Sequence, residues 1–470
     1  MNSSIAAAAW ILLGMCALVG MTTVNPWLTV FALLSLGVAQ AIVWRSDSTR
    51  LFAYILGYHW LQASVDLLRA NFSHVDLDAF YVRGGNAELA TALALLATIV
   101  LAIGVRLGLG ASRSLPFGQP DDPARLVSSR GWFFVYICAA VIAVVATIAG
   151  GLIPSLRFPL SVVAHMKFAA LWILAYATFS DSRQMKGYFY LAIAFEVLTS
   201  FGGFFASFTT PLVVSILAIS SAKAKLTFRQ LSAVFLSALT LVSMVIIWTA
   251  VKEDYRKFAS GDSQRQVVVV TYRDTVQELT RLISALDRAD IVDAMEKLIA
   301  RISYTEFFGL TLDYVPAVTD HEWGAIWGDA LLRPLMPRFL FPDKVVYDDS
   351  SRTRLYTGAS IAGADEGTSI SIGYIAESYV DFGLPWMFVP IALLGLFMGR
   401  ICRALSQNGR NGSLVGHAVS FAALLPMALT ETSITRSFGG LIGAAMGALV
   451  ILRYVFPAVL PHLARMARRG

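Results

Sequence analysis

The chain has 470 residues, of which 57% are hydrophobic and 14% charged, with 37 Lys+Arg against 31 Asp+Glu for a net charge of +6. Apolar runs of about 20 residues recur along it, which excludes an ordinary soluble domain and describes a polytopic helical membrane protein. The basic balance does not mark a nucleic-acid binder: residues 252–370 hold 14 basic and 19 acidic side chains, a net of −5, and the remainder holds 23 and 12, a net of +11.

Hydrocarbon offers no partner to a backbone amide, so each span must bond internally, and the expected fold class is all-α. Apolar windows predict about twelve transmembrane helices, at 5–23, 26–43, 51–68, 87–108, 131–153, 159–180, 187–206, 208–221, 229–251, 383–401, 412–430 and 437–457. The first window lacks the positive leading segment of a signal peptide and runs straight into the second, so it reads as a mature helix. The third contains His59 and Asp66 and reads as half buried, and the eighth is short and follows a turn at Thr209-Thr210-Pro211. Alternate short loops collect the positive charge: Arg45 and Arg50, the arginines from Arg106 to Arg130, Arg183 and Lys186, Lys223 to Arg229, Arg400 to Arg410, and the C-terminal Arg465, Arg468 and Arg469. Cytoplasmic loops retain Lys and Arg, so both termini are expected in the cytoplasm and residues 252–370 on the opposite face. The expected organisation is a bundle of about nine helices over 1–251, a large extracytoplasmic loop over 252–370, and about three helices over 371–470.

Outside the loop, three features stand out. His74, Asp76 and Asp78 alternate in an outer loop, a pattern that fits either a solvated turn or an acidic site; no essential metal is expected. Lys167 and Glu196 lie at membrane depth, where an ionisable side chain is costly, so they form either an ion pair between adjacent helices or a proton relay of the kind a transporter uses. Cys16, Cys138 and Cys402 lie in or beside apolar spans, which excludes an intramolecular disulfide or a cysteine metal site in the loop.

Within the loop, Val276, Leu279, Ile283 and Leu286, then Val292, Met295, Leu298 or Ile299, and Ile302 fall at helical spacing and predict two amphipathic helices broken near Asp287–Asp290. These pack on the membrane surface or on the bundle. Pro316, Pro334, Pro337 and Pro342 break any long helix, so 311–366 is expected to be irregular but ordered, as chain that builds a site often is. Its cations, with Arg256 and Lys257 just outside the ninth helix, are Arg301, Arg333, Arg338, Lys344, Arg352 and Arg354. They are either salt-bridged surface residues or, in part, a site for a phosphorylated substrate, because guanidinium groups bind phosphate oxygens in pairs and keep their proton. After the loop, Glu377 and Asp381 stand four apart on one helix face at a membrane boundary. They either cap or salt-bridge a helix start, or one of them serves as a base or substrate anchor.

Pro337-Arg338, Pro342-Asp343-Lys344 and Glu377-x-Tyr379-x-x-Phe382-Gly383 together resemble the oligosaccharide repeat-unit polymerases of the Wzy type, bacterial inner-membrane proteins with ten to fourteen helices and a large late periplasmic loop. The motif match covers about 50 residues, and the architecture is similar along the whole chain. Asp381 stands where that family commonly has Asn, and Leu384-Pro385-Trp386 where a second glycine follows Phe-Gly. The resemblance implies a GT-C-like architecture in the bacterial inner membrane and an undecaprenyl-diphosphate-linked oligosaccharide as substrate, with the growing glycan passed from its lipid diphosphate to a hydroxyl of the next lipid-linked repeat. Membrane lipid, a chain-length regulator and a flippase are the implied partners, and no cofactor is needed.

The leaving diphosphate calls for fixed cations. Arg338 and Lys344 of the matched motif are the first candidates, supported by Arg256, Arg301 and Arg352. Glu377 is the first choice to accept the proton of the acceptor hydroxyl or orient it, with Tyr379 among the substrate-binding residues. Arg436, near Glu431 in sequence, either partners a carboxylate or anchors the interface. Two other functions share the sequence evidence: an O-antigen ligase, which uses the same donor, and a lipid-linked glycan flippase or other transporter, for which about twelve helices is also a common count.

Overall fold

The computed structural model describes residues 3–44, 49–81, 84–110, 127–180, 185–201, 209–222, 228–261, 270–336, 340–341, 344, 347–361, 363, 369–407 and 413–467. Among them every regular element is helical. The first nine helices are α1 (Ser3–Gly20), α2 (Pro26–Val43), α3 (Thr49–Phe72), α4 (Leu77–Phe80), α5 (Ala87–Leu109), α6 (Ser129–Leu152), α7 (Arg157–His165), α8 (Lys167–Ser180) and α9 (Gly187–Phe201). There follow α10 (Thr209–Ala222), α11 (Phe228–Ala259), α12 (Tyr272–Ala285), α13 (Arg288–Ile302), α14 (Thr305–Tyr314), α15 (Ala325–Leu332) and α16 (Asp349–Thr357). The last are α17 (Gly373–Phe382), α18 (Phe388–Ser406), α19 (Ser413–Leu424), α20 (Ile434–Val450) and α21 (Phe456–Ala467).

Six helical stretches among the described residues are long and apolar enough to cross a membrane: Pro26–Val43, Ala87–Leu109, Ser129–Leu152, Arg157–Ser180, Phe388–Ser406 and Ile434–Val459. The chain is therefore a membrane protein. The remaining predicted windows are not among these six. α9, α10 and α19 are apolar helices with 15, 14 and 12 described residues; α9 and α10 flank 202–208 and α19 follows 408–412, which lie outside the described residues. α3 is long enough but buries His59, Gln62 and Asp66 in protein. α11 continues through Ala259, so Arg256 and Lys257 occupy its last turn rather than the chain beyond it.

The chain forms two compact units that cut across the three consecutive stretches expected from sequence, with the 252–370 region divided at Ile302. One unit comprises residues 1–117, 302–408 and 423–449. Its tightest crossing joins α5 to α18. A Cβ added at Gly104 or Gly108 would fall on the carbonyl oxygen of Ala392 or Leu396, and one at Gly395 or Gly399 on that of Leu101 or Val105. Glycine at four-residue spacing on both helices lets their backbones touch, as membrane helix pairs do.

The other unit comprises residues 118–301, 409–422 and 450–470. Trp132, Tyr136 and Trp172 are buried in it. Lys167 Nζ lies 2.7 Å from Glu196 Oε2, and the Tyr136 hydroxyl donates to Glu196 Oε1 at 2.8 Å. Of the two sequence readings of Lys167 and Glu196, the ion pair between helices is the one the geometry displays. The amphipathic pair forms as α12 and α13. Leu279 and Leu282 pack on Trp248, Val251, Tyr255 and Ala259 of α11. The break falls at Asp287, where Asp287 N donates to Asp290 Oδ2 at 3.0 Å and Asp290 N to Asp287 Oδ1 at 2.8 Å, a reciprocal cap.

Chain expected to be irregular over 311–366 instead holds α15, α16 and the end of α14. These helices have 8 to 10 residues, too short for apolar periodicity to declare them, and their ends are set by capping. Asp348 accepts the Ser350 N–H at 3.0 Å to start α16, and Gly358, at φ 63°, ends it.

Candidate functional site

α17 acts as a strut between two helix starts in the first unit. Asp381, fully buried, accepts the N–H groups of Ile326 at 3.0 Å and Trp327 at 2.8 Å, capping α15 from outside its own chain segment. One turn earlier on the same face, Glu377 is 1% exposed, and its Oε2 accepts the Ile434 N–H at 2.6 Å where α20 begins. Each carboxylate thus meets the positive end of a helix other than its own. Burial nevertheless outweighs these bonds and raises Asp381 above its usual range. For Glu377, burial pushes the carboxyl up to about 7, against the lowering by the Ile434 N–H, the Arg352 charge and the Tyr347 bond; the nearby Asp349 charge adds to the rise.

The second oxygen of Glu377 faces the loop's far end. Tyr347 donates its hydroxyl to Oε1 at 3.2 Å. The Tyr347 ring carries two guanidinium groups, Arg352 at 4.6 Å and Arg333 at 5.3 Å from the centroid. Stacked cations are held there by the ring's negative face. Both arginines share one carboxylate: Arg333 binds Asp329 in the two-pronged manner, each bond 3.0 Å, and Arg352 Nη2 reaches Asp329 Oδ2 at 3.3 Å. Arg333 and Asp329 are brought together by four-residue spacing at the end of α15, whereas Arg352 comes from α16. Burial, then the Glu377 charge, pushes the Tyr347 phenol far up, so it remains a donor.

Of the sequence candidates, Glu377 and Arg352 meet in this cluster. Lys344 lies beside it: its Nζ donates to the carbonyls of Arg333 at 2.6 Å and Met336 at 2.8 Å, fixing the turn that follows α15. Tyr379 is buried and donates its hydroxyl to the Val315 carbonyl at 2.8 Å. Arg436 pairs with Asp349, Nε to Oδ2 at 2.8 Å, and Nη2 donates to Ser369 Oγ at 2.8 Å. Its sequence neighbour Glu431 instead accepts from Gln62 at 3.1 Å. Arg256 and Arg301 belong to the other unit, where their charges, after burial, hold Lys252 down. Arg338 lies outside the described residues, as do Pro337, Pro342 and Asp343.

Sequence reasoning did not select Tyr347, Asp329 or Asp349, and it counted Arg333 only among the loop's cations. The Asp329–Arg333 spacing was the one local signal for this cluster; the rest depends on tertiary packing. In the early loop, Asp76 accepts the Asp78 N–H at 3.0 Å to cap α4, and Asp78 accepts the Glu88 N–H at 2.9 Å at the start of α5. Those two acids are committed to helix starts.

A family model described as a domain of unknown function (DUF8712) matches residues 119–434, well over half of the chain, and the chain belongs to that family. No curated protein matches, and no solved structure does.

Proposed function

We propose that this member of the DUF8712 family is a polymerase of polyprenyl-diphosphate-linked oligosaccharide repeat units. The observation that carries the reading is the pair of guanidinium groups, Arg333 and Arg352, which share one aspartate and stack on the phenol bonded to Glu377. Two permanent positive charges stand against one Asp329 carboxylate and a Glu377 held up to about 7. This cationic surplus in a partly dry setting suits a diphosphate that gains charge as its bond to the sugar breaks. Glu377 orders the acceptor side through Tyr347 and the start of α20.

The proposed reaction joins the anomeric carbon of the growing glycan to a hydroxyl of the next lipid-linked repeat and releases the lipid diphosphate. It requires no nucleotide sugar, metal or other cofactor. In the matched motif Arg338 is five residues from Arg333 in sequence, and Lys344 braces the turn that carries Arg333. The proposed setting is the bacterial inner membrane, with about twelve spans, cytoplasmic termini and residues 252–370 in the periplasm. The orientation rests on the alternation of basic loops, and the choice of membrane on the resemblance. A flippase would supply the substrate on that face, and a chain-length regulator would be a fitting partner.

Deletion of the gene followed by sizing of surface and lipid-linked glycan tests this. The expected result is a ladder collapsed to one repeat. Polymer stranded on its lipid carrier would instead identify a ligase using the same donor, and single repeats trapped on the cytoplasmic face a flippase.

A further inference from the structure

Beside the arginine pair lies a second buried carboxylate that the sequence did not single out. Asp349 opens α16, its side chain 3% exposed. Its Oδ2 is held by Arg436 Nε at 2.8 Å and by the Ser369 hydroxyl at 2.9 Å. Its Oδ1 is buried and accepts no hydrogen bond among the described residues. A buried carboxylate oxygen without a donor costs free energy, and in native proteins such an atom is explained by stored strain, a catalytic role or a bound water or ion. Asp349 also shares its surroundings with the cluster described above, because its charge acts on both Tyr347 and Glu377.

The two carboxylates differ in what they have left to offer. Both oxygens of Glu377 are engaged, one by Tyr347 and one by the Ile434 N–H. Asp349 has one oxygen engaged and one buried without a donor among the described residues. Arg436 supplies a fixed positive partner on the engaged side, which leaves the second oxygen to accept from an incoming O–H.

We propose that Asp349 is the carboxylate that receives the acceptor hydroxyl. Its Oδ1 accepts the hydrogen bond of that hydroxyl and takes its proton as the hydroxyl oxygen bonds to the anomeric carbon. The bond from that carbon to the lipid diphosphate breaks, and its electron pair leaves on the diphosphate, where Arg333 and Arg352 meet the charge. Glu377 is then a positioning residue. Arg436 and Ser369 orient Asp349. The inference deepens the polymerase reading and rests on it.

The test uses a deletion strain carrying the full chain or its variants, with membrane protein levels measured beside glycan length. Asp349→Asn keeps the side chain's size but cannot take the proton. It should reduce chain extension on the order of 10²–10⁴-fold, the usual range for loss of a general base, while protein level stays at wild type. In membranes bearing Asp349→Ala, small carboxylates such as formate and acetate should restore extension in part and in order of their basicity, because the added carboxylate takes the proton; a purely structural counter-ion for Arg436 would be replaced without regard to basicity. A full ladder from Asp349→Asn, with Arg352→Ala inactive, overturns the assignment and leaves the polymerase reading standing. Loss of both variants from the membrane makes Asp349 structural and also overturns it. An unchanged ladder in the deletion strain itself overturns both readings together.

Discussion

Arg352 lies over the ring of Tyr347, 4.6 Å from its centroid, and also reaches Asp329, so one guanidinium is fixed by a flat face and a carboxylate at once. Lysine can reproduce the charge but neither the stacking nor the forked geometry. Arg352→Lys should therefore lower chain extension at least about 10-fold and Arg352→Ala about 100-fold or more, on the scale of removing one group that stabilises a leaving charge. Tyr347→Phe keeps the stack and removes the bond to Glu377, and should cost less than Arg352→Ala. Glycan length distributions from membranes with matched protein levels rank the three. An inactive Tyr347→Phe beside an active Arg352→Ala would contradict the ranking.

Glu377 makes a signed prediction for stability. Its folded value, about 7, is above the ordinary 4.5. The folded state therefore holds this proton more tightly than the unfolded state, and the contribution is present below about 4.5 and lost as pH rises through about 7. Glu377→Gln stays neutral throughout. The difference in melting temperature, variant minus wild type, should rise between those two pH values and level off above them. A difference that stays flat with pH would show that Glu377 is not held protonated by its burial.

At the α5–α18 crossing, a Cβ at Gly395 would strike the Leu101 carbonyl, whereas at Gly440 nothing lies within 4 Å. Gly395→Ala should lower the melting temperature because the backbones must separate, an overpacking cost of typically about 1–3 kcal/mol. Gly440→Ala should be neutral or slightly stabilising, since Ala favours a helix by about 1 kcal/mol over Gly. Equal effects from the two would argue against direct backbone contact.

Lys167 and Glu196 are coupled across α8 and α9. Removing one partner of a buried pair typically costs about 3–5 kcal/mol, and replacing both can be neutral. Lys167→Met should therefore destabilise the protein strongly, and Lys167→Met with Glu196→Gln should recover much of the loss. Glycan polymerisation at permissive temperature should survive in the double variant. If it does not, the pair has a role in transport of protons or substrate.

The sequence made the helical fold legible because membrane burial writes itself as long apolar runs, and six such stretches are present. It does not separate membrane spans from apolar helices buried in protein, as along α3 with His59, Gln62 and Asp66. It also missed α15 and α16, whose boundaries are set by Asp381 and Asp348 rather than by periodicity. In the candidate site, Glu377 and Arg352 could be singled out as residue types at the right end of the loop. Tyr347 and Asp349 could not, because their chemistry comes from partners distant in sequence: Glu377 for one, Arg436 and Ser369 for the other.

The most direct measurement is made on purified full-length protein in vesicles, supplied with single lipid-diphosphate-linked repeats from the same source organism. Wild type should convert them to lipid-linked dimers and longer chains with release of lipid diphosphate, and Arg352→Ala should not. Single repeats that remain single with wild-type protein, or chains that grow equally well with Arg352→Ala, would contradict the account.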